Sequence, residues 1–380
     1  MLLVLAIYGC LALWAFFFLF IDRHFAVDTC LRESAPSKSI DIIVAARDEE
    51  KSIPALLESI HDGNYPLDLL EVIVVDDHSQ DDTVRSIQDW KERHPGLSVQ
   101  VSSLPETAQG KKAALKHGLQ RSKAEWVFFT DADCVLQSDT LVQCLTSLHR
   151  MDKSILFGTV DYLQGKSFLS KLLHLENLNT MAVTSAFFGA GKGIMANAAN
   201  MMVHRSKCED YKESLDARHP GGDDVFFAQQ QQENEVIYFN LPEAAVRTHA
   251  PNTLLELLQQ RVRWASKTSD YPSALPKLVA AIVFATSAIQ ILCLVFALLM
   301  PELAFVLLSY IGLKWLLEYS YQSRWFRSMG TRLSAGHSFV LSMTYPFLVT
   351  IVGLASLSRQ SFSWKKRTYR SSGGEYRSVS

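Results

Sequence analysis

The run LVAAIVFATSAIQILCLVFALLM, residues 278–300, carries no charged side chain. It is long enough to cross the hydrocarbon core of a bilayer as one helix, which takes about 20 apolar residues. In lipid each backbone amide and carbonyl must be satisfied within the segment, so a helix is the form open to it. Residues 2–21, LLVLAIYGCLALWAFFFLFI, are equally free of charge and are expected to form an N-terminal anchor over 1–22. A cleaved signal peptide is the competing interpretation. No basic residue precedes the run, however, and Asp22, Arg23 and His24 stand where a small-x-small cleavage site would be.

Two further segments belong to an expected C-terminal membrane region over 275–358, with two to three hydrophobic stretches. Segment 303–321 holds Lys314 and Glu318, which at i,i+4 can pair on one helix face. Pro301 and Glu302 leave only a very short connection before it, which predicts a helical hairpin with 278–300. With crossings at 2–21, 278–300 and 303–321, Arg23, Lys38, Lys277, Arg324, Arg327 and Arg332 all fall on one side. By the bias of basic residues towards the cytoplasm, the middle of the chain is then expected to be cytoplasmic, on an integral protein of the plasma (inner) membrane. The tail SRQSFSWKKRTYR is basic too and would lie outside if 338–357 crossed, so that segment is expected to take a re-entrant or interfacial path broken at Pro346. Residues 359–380 are read as a basic, partly disordered tail ending in SSGGEYRSVS.

With 48% apolar residues over 380 positions, the chain is too hydrophobic for an ordinary soluble protein and too long for one small domain. Its six cysteines show no CxxC pairing and two lie inside expected spans, which argues against a disulfide frame or a zinc site. No nucleic-acid motif or basic aromatic stripe is present, so nucleic acid is not an expected partner.

Between about 38 and 270, short β-branched runs alternate with helical periodicity. IDIIVAA (40–46), EVIVVDD (71–77), LSVQVSS (97–103), WVFFTDA (126–132) and ILFGTV (155–160) read as strands. EEKSIPALLESI, SQDDTVRSIQDW and GKKAALKHGLQ read as amphipathic helices between them. The spacing predicts an α/β fold with a parallel sheet and right-handed crossovers. In such sheets the ligand crevice lies beyond the carboxyl ends of the strands. Those ends carry Arg47-Asp48-Glu49, Asp76-Asp77, a loop ending in Gly110-Lys111-Lys112, and Asp131-Ala132-Asp133. Any one of them could simply cap the following helix; four facing one crevice point to a ligand. No GxGxxG follows the first strand, and GAGKGI (189–194) lacks the Ser or Thr of a phosphate-binding GxxxxGK[ST] loop.

In an extended segment residues i and i+2 share a face, so Asp131 and Asp133 can approach one ligand. Two carboxylates held that close repel, and a divalent cation relieves the repulsion. Mg²⁺ or Mn²⁺ takes few protein carboxylates and completes its octahedron with water and phosphate oxygens.

VVDDHSQDDT, GKKAAL, TDADC, GGDD and QQRVRW (259–264) stand in an order that resembles the family-2 glycosyltransferases, in particular the membrane-bound branch of cellulose, hyaluronan and ceramide glucosyl synthases. The resemblance covers roughly residues 38–270, and it implies a GT-A fold, that is, a Rossmann-like, mostly parallel sheet. It further implies that Arg47, Asp48 and Glu49 lie near the base and ribose of a nucleotide donor, usually UDP-linked, and that Asp76 and Asp77 contact the base. Lys111 and Lys112 match basic residues near the diphosphate, and Asp131 and Asp133 match the D-x-D whose Mg²⁺ or Mn²⁺ bridges it. NAANMMVHR (197–205), with Asn200, is similar to a segment under the acceptor. Asp223 first, and Asp224 second, matches the general base, and Gln260, Arg263 and Trp264 match Q-x-x-R-W. Where the family commonly has Glu-Asp, this chain has Gly222-Asp223, a departure that bears on the base.

The chemistry asks for the same residue types. A nucleoside diphosphate leaving group gains negative charge as the glycosidic bond breaks, so a metal and fixed cations stabilise it. A carboxylate must take the acceptor's proton as it attacks from the opposite face, which inverts the anomeric carbon. The expected function is thus a metal-dependent, inverting transfer of a sugar from a nucleotide donor to a lipid or glycan acceptor at the cytoplasmic membrane face, in contact with membrane lipids. A processive polysaccharide synthase of the same family is the near alternative. A nucleotidyltransferase would not need a late carboxylate or Q-x-x-R-W beside a membrane. A catalytically inactive membrane scaffold would not need the full motif set.

Overall fold

The computed structural model describes residues 2–31, 37–163, 165–215, 221–358, 361–364, 367–372 and 375–379. Along the chain, α1 (Leu2–His24) precedes β1 (Ile40–Ala46), α2 (Ile53–His61), β2 (Leu70–Asp76), α3 (Thr83–Arg93), β3 (Ser98–Ser103), α4 (Lys111–Arg121) and β4 (Trp126–Asp131). Then come β5 (Cys134–Val135), α5 (Thr140–Met151), β6 (Ile155–Gly158), β7 (Val160–Tyr162), α6 (Phe168–Gly189), β8 (Met201–His204), α7 (Cys208–Leu215) and α8 (Asp223–Gln230). After β9 (Val236–Phe239) and β10 (Val246–Thr248) follow α9 (Leu254–Ala265), α10 (Leu275–Leu299), α11 (Pro301–Ser328) and α12 (Ala335–Ser358). The last strands are β11 (Ser361–Trp364), β12 (Arg367–Ser372) and β13 (Glu375–Val379). These elements fall into a sheet unit, residues 27–163, 191–250 and 361–380, and a helical unit, residues 1–26, 164–190 and 251–360.

The sheet unit is built on seven strands in the order β3-β2-β1-β4-β8-β6-β9. β1 runs parallel to β2 and β4, and β2 to β3, as the βα alternation predicts. Ile42, Ile43 and Val44 of β1 are wholly buried, the mark of a central strand covered on both faces. Trp90 of α3 and Ile53, Leu56, Leu57 and Ile60 of α2 belong to the same core. β8 enters antiparallel between β4 and β6, and a second sheet, β5-β10-β7, forms beside the first. The single strand expected over 155–160 is therefore two, with β6 in the large sheet and β7 in the small one. The chain changes sheets at Thr159, whose amide donates to the Phe239 carbonyl at 3.2 Å.

Register places the functional edge. Ala46 lies opposite Asp76 and Ala45 opposite Asp131, so β1, β2 and β4 end level and deliver their next residues to one rim. α4 packs tightly on β1. A Cβ at Gly118 would come within 2.6 Å of Ile43 Cγ2, so this glycine lets the helix that begins at Lys111 approach the strand.

In the tail, β11, β12 and β13 form an antiparallel meander, with Phe362 opposite Tyr369 and Ser371 opposite Tyr376. Disorder was expected over 371–380 from composition; the described residues form strands instead. Phe362, Trp364, Tyr369 and Tyr376 are strand-forming types, and a count of Gly, Ser and charge does not register where they fall.

In the helical unit, four helices are long and apolar enough to cross a membrane: Ile7–His24, Leu275–Leu299, Pro301–Ser328 and Ala335–Ser356. Leu298 and Phe305 are each 84% exposed, as lipid-facing side chains are, while the polar residues turn inward. Glu318 is the hub: it pairs with Lys314 one turn away and accepts Trp14 Nε1 from α1 at 3.0 Å and Ser342 Oγ from α12 at 2.5 Å. The i,i+4 pair expected from the sequence is thus present and buried.

The break at Pro346, on which the expected re-entrant or interfacial path of 338–357 turned, does not form. α12 is one helix that runs through Pro346. Proline lacks an N–H, so the carbonyl four residues back, that of Ser342, loses its intrahelical donor. Gln290 Nε2 of α10 supplies one at 2.9 Å, and the helix continues because a neighbour repairs it.

The interval 38–270, expected as one catalytic domain, is divided between the units, since α6 and α9 cluster with the apolar helices. α6 is capped by Ser167 Oγ, which accepts the Ser170 amide at 3.0 Å. It packs on α1 through Phe187 and Phe20, whose ring centroids are 4.9 Å apart.

Replacing Gln290 with Leu should leave the Ser342 carbonyl without a donor and cost about 1–3 kcal/mol. Adding Pro346→Ala should recover most of that loss, because residue 346 then supplies its own N–H. Unfolding of the purified protein in detergent measures both; a double variant no more stable than Gln290→Leu alone would refute the repair.

Candidate active site

The rim of β1, β2 and β4 is held together by hydrogen bonds between the loop after β1 and the loop after β2. Arg47 donates from Nη1 to the carbonyls of Asp77 at 2.6 Å and His78 at 3.4 Å. Asp48 accepts the Gln80 amide on Oδ1 at 2.8 Å, and its own amide donates to Ser79 Oγ at 3.0 Å. The Glu49 amide donates to Thr83 Oγ1 at 2.8 Å. Asp48 and His78 take φ values of +52° and +56°, uncommon for residues with a Cβ. The crosslinks between the two loops hold them there. Such strain gathers at functional sites.

Asp76 and Asp77 lie at this rim but are 5% and 1% exposed. Both Asp76 oxygens lie 3.3 Å from the Ser79 amide, and Asp77 Oδ2 accepts the Gly110 amide at 3.0 Å. Gly110, with φ +95°, is the N-cap of α4, so Asp77 sets where Lys111 begins. These two acids, expected to touch a base, are in this structure largely spent on holding loops.

Lys111 reaches Asp131 Oδ1 and pairs with it. Burial alone would lower the ammonium, but the fields of Asp131, Asp223 and Asp224 outweigh it and hold Lys111 above an ordinary lysine. Lys112, next along α4, is half-buried. Asp131 is partly exposed, Ala132 is buried and Asp133 is exposed, which is the alternation expected of an extended chain opening into a turn. The thiol of Cys134, directly after them, is pushed up by burial and then by Asp131 and Asp133.

Asp223 and Asp224 open α8 behind Gly222, whose φ is +82°. Asp223 is buried and accepts Tyr211 Oη on Oδ2 at 2.7 Å. Tyr211 is wholly buried against Phe129 of β4 and Phe227 of α8, with ring centroids 4.8 and 5.0 Å away. Burial, and then Asp223, pushes its phenol well up, so it stays protonated and donates. Asp224 is more open; its Oδ2 accepts the Ala198 amide at 3.3 Å and its Oδ1 the Val225 amide at 2.8 Å. Tyr211 carried no sequence motif. Its only trace is the apolar spacing Cys208, Tyr211, Leu215 on α7, which announces a buried face without naming its partner.

Asn200, expected beneath an acceptor, has no exposed surface. Its Nδ2 donates to the carbonyls of Thr159 at 2.8 Å and Ala244 at 3.4 Å. Gly158 lies so close to that amide that no Cβ fits between them. Asn200 therefore ties the two sheets together and presents nothing to a ligand.

Gln260, Arg263 and Trp264 lie on α9 in the helical unit. They fall on one face of that helix by its 3.6-residue period. A capping box starts it, with Thr253 Oγ1 accepting the Glu256 amide at 3.2 Å and Glu256 Oε2 accepting the Asn252 amide at 2.9 Å. Trp264 is 38% exposed.

The donor set tests the expected metal. Around Lys111 the carboxylates of Asp131, Asp223 and Asp224 act on one ammonium. Among the described residues no group of three or more His, Cys, Asp or Glu side chains is arranged to hold a metal ion. Asp131 and Asp133, two residues apart at the end of β4, supply the oxygen donors that Mg²⁺ and Mn²⁺ take, and such an ion would need its other donors from a bound ligand and water. The Lys111 ammonium already occupies one of those carboxylates as a cation would.

Residues 41–212 match the family model described as Glycosyl transferase family 2. An N-acetylglucosaminyltransferase of Rhizobium meliloti is 27% identical over 260 residues, 65% of this chain and 59% of its own length. The poly(ribitol-phosphate) beta-N-acetylglucosaminyltransferase TarS of Staphylococcus aureus is 31% identical over 100 residues, 26% of this chain and 17% of its own. The chain thus spans less than two thirds of the length of either relative. Among solved structures, the mannosyltransferase PcManGT from Pyrobaculum calidifontis, in complex with GDP-Man and Mn²⁺, shares the fold with a TM-score of 0.55 at 18% identity, covering 93% of this chain and 94% of that one.

Tyr211→Phe removes the hydroxyl that Asp223 accepts and should cost about 1–3 kcal/mol, because a buried acceptor is left short of a donor. Denaturant unfolding of wild type and variant checks this, and equal midpoints would show that the bond contributes nothing.

Proposed function

We propose, from the match of residues 41–212 to the family-2 glycosyltransferases and the GT-A-like fold, that the chain transfers a sugar from a nucleoside diphosphate donor to a lipid or glycan acceptor, with a divalent metal and inversion at the anomeric carbon. The observation that carries the proposal is the convergence of Asp131, Asp223 and Asp224 on Lys111 at the rim of the parallel strands. Such a site has the charge to take a metal and a diphosphate together, and a carboxylate nearby to take a proton.

In this proposal Asp131 and Asp133 hold the Mg²⁺ or Mn²⁺, which when bound offsets the negative charge that grows on the leaving diphosphate. Lys111 moves from Asp131 to the phosphate oxygens as the metal takes its place, and Lys112 adds a second cation. Arg47, Asp48 and Glu49 shape the rim for the nucleoside, with Asp76 and Asp77 fixing that rim from behind. The base is assigned to Asp224 and not to Asp223, reversing the order that motif matching suggests. A base must meet the acceptor hydroxyl, and Asp224 is the more open of the two, whereas Asp223 is buried under Tyr211. Gln260, Arg263 and Trp264 are assigned to the acceptor and the leaving group on the strength of their Q-x-x-R-W spacing along one face of α9. An indole offers a flat apolar face of the kind on which sugars stack.

The donor proposed first is a UDP-linked N-acetylhexosamine, since two relatives act as N-acetylglucosaminyltransferases. PcManGT, solved with GDP-Man and Mn²⁺, supports a nucleotide sugar and a metal as the ligand class. Crossing of all four apolar helices puts Arg23, Lys277, Arg324, Arg327 and Arg332 on the side that carries residues 25–274 and the basic tail, with Arg367, Arg370 and Arg377, on the other; the basic residues flanking the first three spans assign residues 25–274 to the cytoplasm of the plasma membrane, against the pull of the tail.

A screen of nucleotide sugars with membranes containing the protein, reading released nucleoside diphosphate and the mass of the product, tests the reaction. Turnover should require Mn²⁺ or Mg²⁺ and disappear in Asp133→Asn with folding intact; equal turnover in that variant removes the metal role. Asp224→Asn should keep nucleotide binding while kcat falls roughly 10²–10⁴-fold. If Asp223→Asn shows that pattern and Asp224→Asn does not, the base assignment is reversed.

A further inference from the structure

Arg261 lies inside the Q-x-x-R-W segment at a position the pattern leaves open, and none of the roles assigned above uses it. It is 8% exposed, whereas Arg263 two residues on is half-exposed. A guanidinium sealed from water needs a partner, and Arg261 Nη2 finds it in Glu176 Oε2 of α6, itself 6% exposed. The same guanidinium stands over the Trp264 indole, with Cζ 4.4 Å from the ring centroid. One arginine thus links α9 to α6 and rests on the residue assigned to the sugar.

Helix geometry gives this arrangement a consequence. Gln260, Arg263 and Trp264 fall within about 100° of arc, and Arg261 flanks Trp264 on the outer edge of that arc. The ion pair therefore ties one edge of α9, the edge beside Trp264, to α6. With the guanidinium covering one face of the indole, only the opposite face is left to stack on a sugar.

We propose that Arg261 and Glu176 are positioning residues that set the indole of Trp264 and the edge of α9 beside it for the transfer step. The inference rests on the acceptor role given to Trp264 above. A purely structural ion pair is the alternative, since buried pairs often hold helices together without serving chemistry.

The test uses the full chain in detergent or lipid discs. Arg261→Lys keeps the charge but loses the planar fork that bonds the carboxylate and stacks on the ring. The double variant Glu176→Leu with Arg261→Met removes both charges together, so no unpaired ion stays buried and the fold is retained. Both should bind nucleotide as wild type does and keep the donor KM, while kcat falls roughly tenfold to a hundredfold. Quenching of Trp264 by acrylamide, isolated by subtracting the signal of Trp264→Phe, should rise in both.

A double variant that turns over at the wild-type kcat with unchanged Trp264 quenching, whatever its unfolding temperature, would leave the pair at most a helix fastener and overturn the proposal. So would Arg261→Lys with unchanged quenching and kcat. Failure of the wild type to transfer any sugar would defeat the proposed function instead. The quenching measurement needs no substrate and still decides whether the pair governs Trp264.

Discussion

Like charges crowd the rim of the parallel strands, and the structure is arranged around that fact. Asp131, Asp223 and Asp224 all act on Lys111, and together they hold its ammonium above an ordinary lysine. Carboxylates brought together in a folded protein repel unless a cation or a proton joins them. Lys111 does part of this work in the described state by sitting on Asp131. In the proposed function a divalent ion would join Asp131 and Asp133 and screen the incoming diphosphate, with Lys111, beside Asp131, as a cation of the protein's own.

Strand register and buried hydrogen bonds keep that site in place. The level ends of β1, β2 and β4 are a consequence of parallel pairing, which aligns Ala45 with Asp131 and Ala46 with Asp76. Buried acids then act as braces. Asp77 fixes Gly110 and with it the first residue of α4, and Asp48, at φ +52°, takes the Gln80 amide across from the next loop. Dipoles and charges fixed before the donor arrives need not reorganise when the bond breaks, which is where electrostatic catalysis gains most. The seal on Asp76 and Asp77 and the openness of Asp133 are complementary parts of this arrangement.

The sequence made some of this legible and hid the rest for physical reasons. At Asp131-Ala132-Asp133 the period of two in a strand was legible in the burial alone, with Ala132 turned in and its two neighbours more exposed. The parallel core could be read because β1, β2 and β4 are dominated by buried apolar residues, while β3 shows only Val99 and Val101 alternating with polar residues. β8 could not, since its place between β4 and β6 depends on partners far away in sequence. Asn200 matched a motif position, yet a motif gives neighbours in sequence and not exposure; the amide is consumed by Thr159 and Ala244. Tyr211 left no motif because its function is one hydroxyl on one distant carboxylate.

Pro346 shows the same limit in lipid. Taken alone it argues for a broken path, because a lost hydrogen bond in hydrocarbon is costly. The cost is a property of the unsatisfied Ser342 carbonyl, however, and not of proline as such. Gln290, on another helix, supplies the missing donor, while the hydroxyl of Ser342 turns to Glu318 and so joins the pair with Lys314 and the Trp14 indole. Each of α1, α10, α11 and α12 contributes a polar group to this network. Apolar helices have little hydrophobic reason to prefer one neighbour over another within lipid, so directional bonds of this kind fix which faces meet. Lys314 and Glu318 of α11, and Ser342 one turn before Pro346 in α12, are therefore among the residues that specify the bundle.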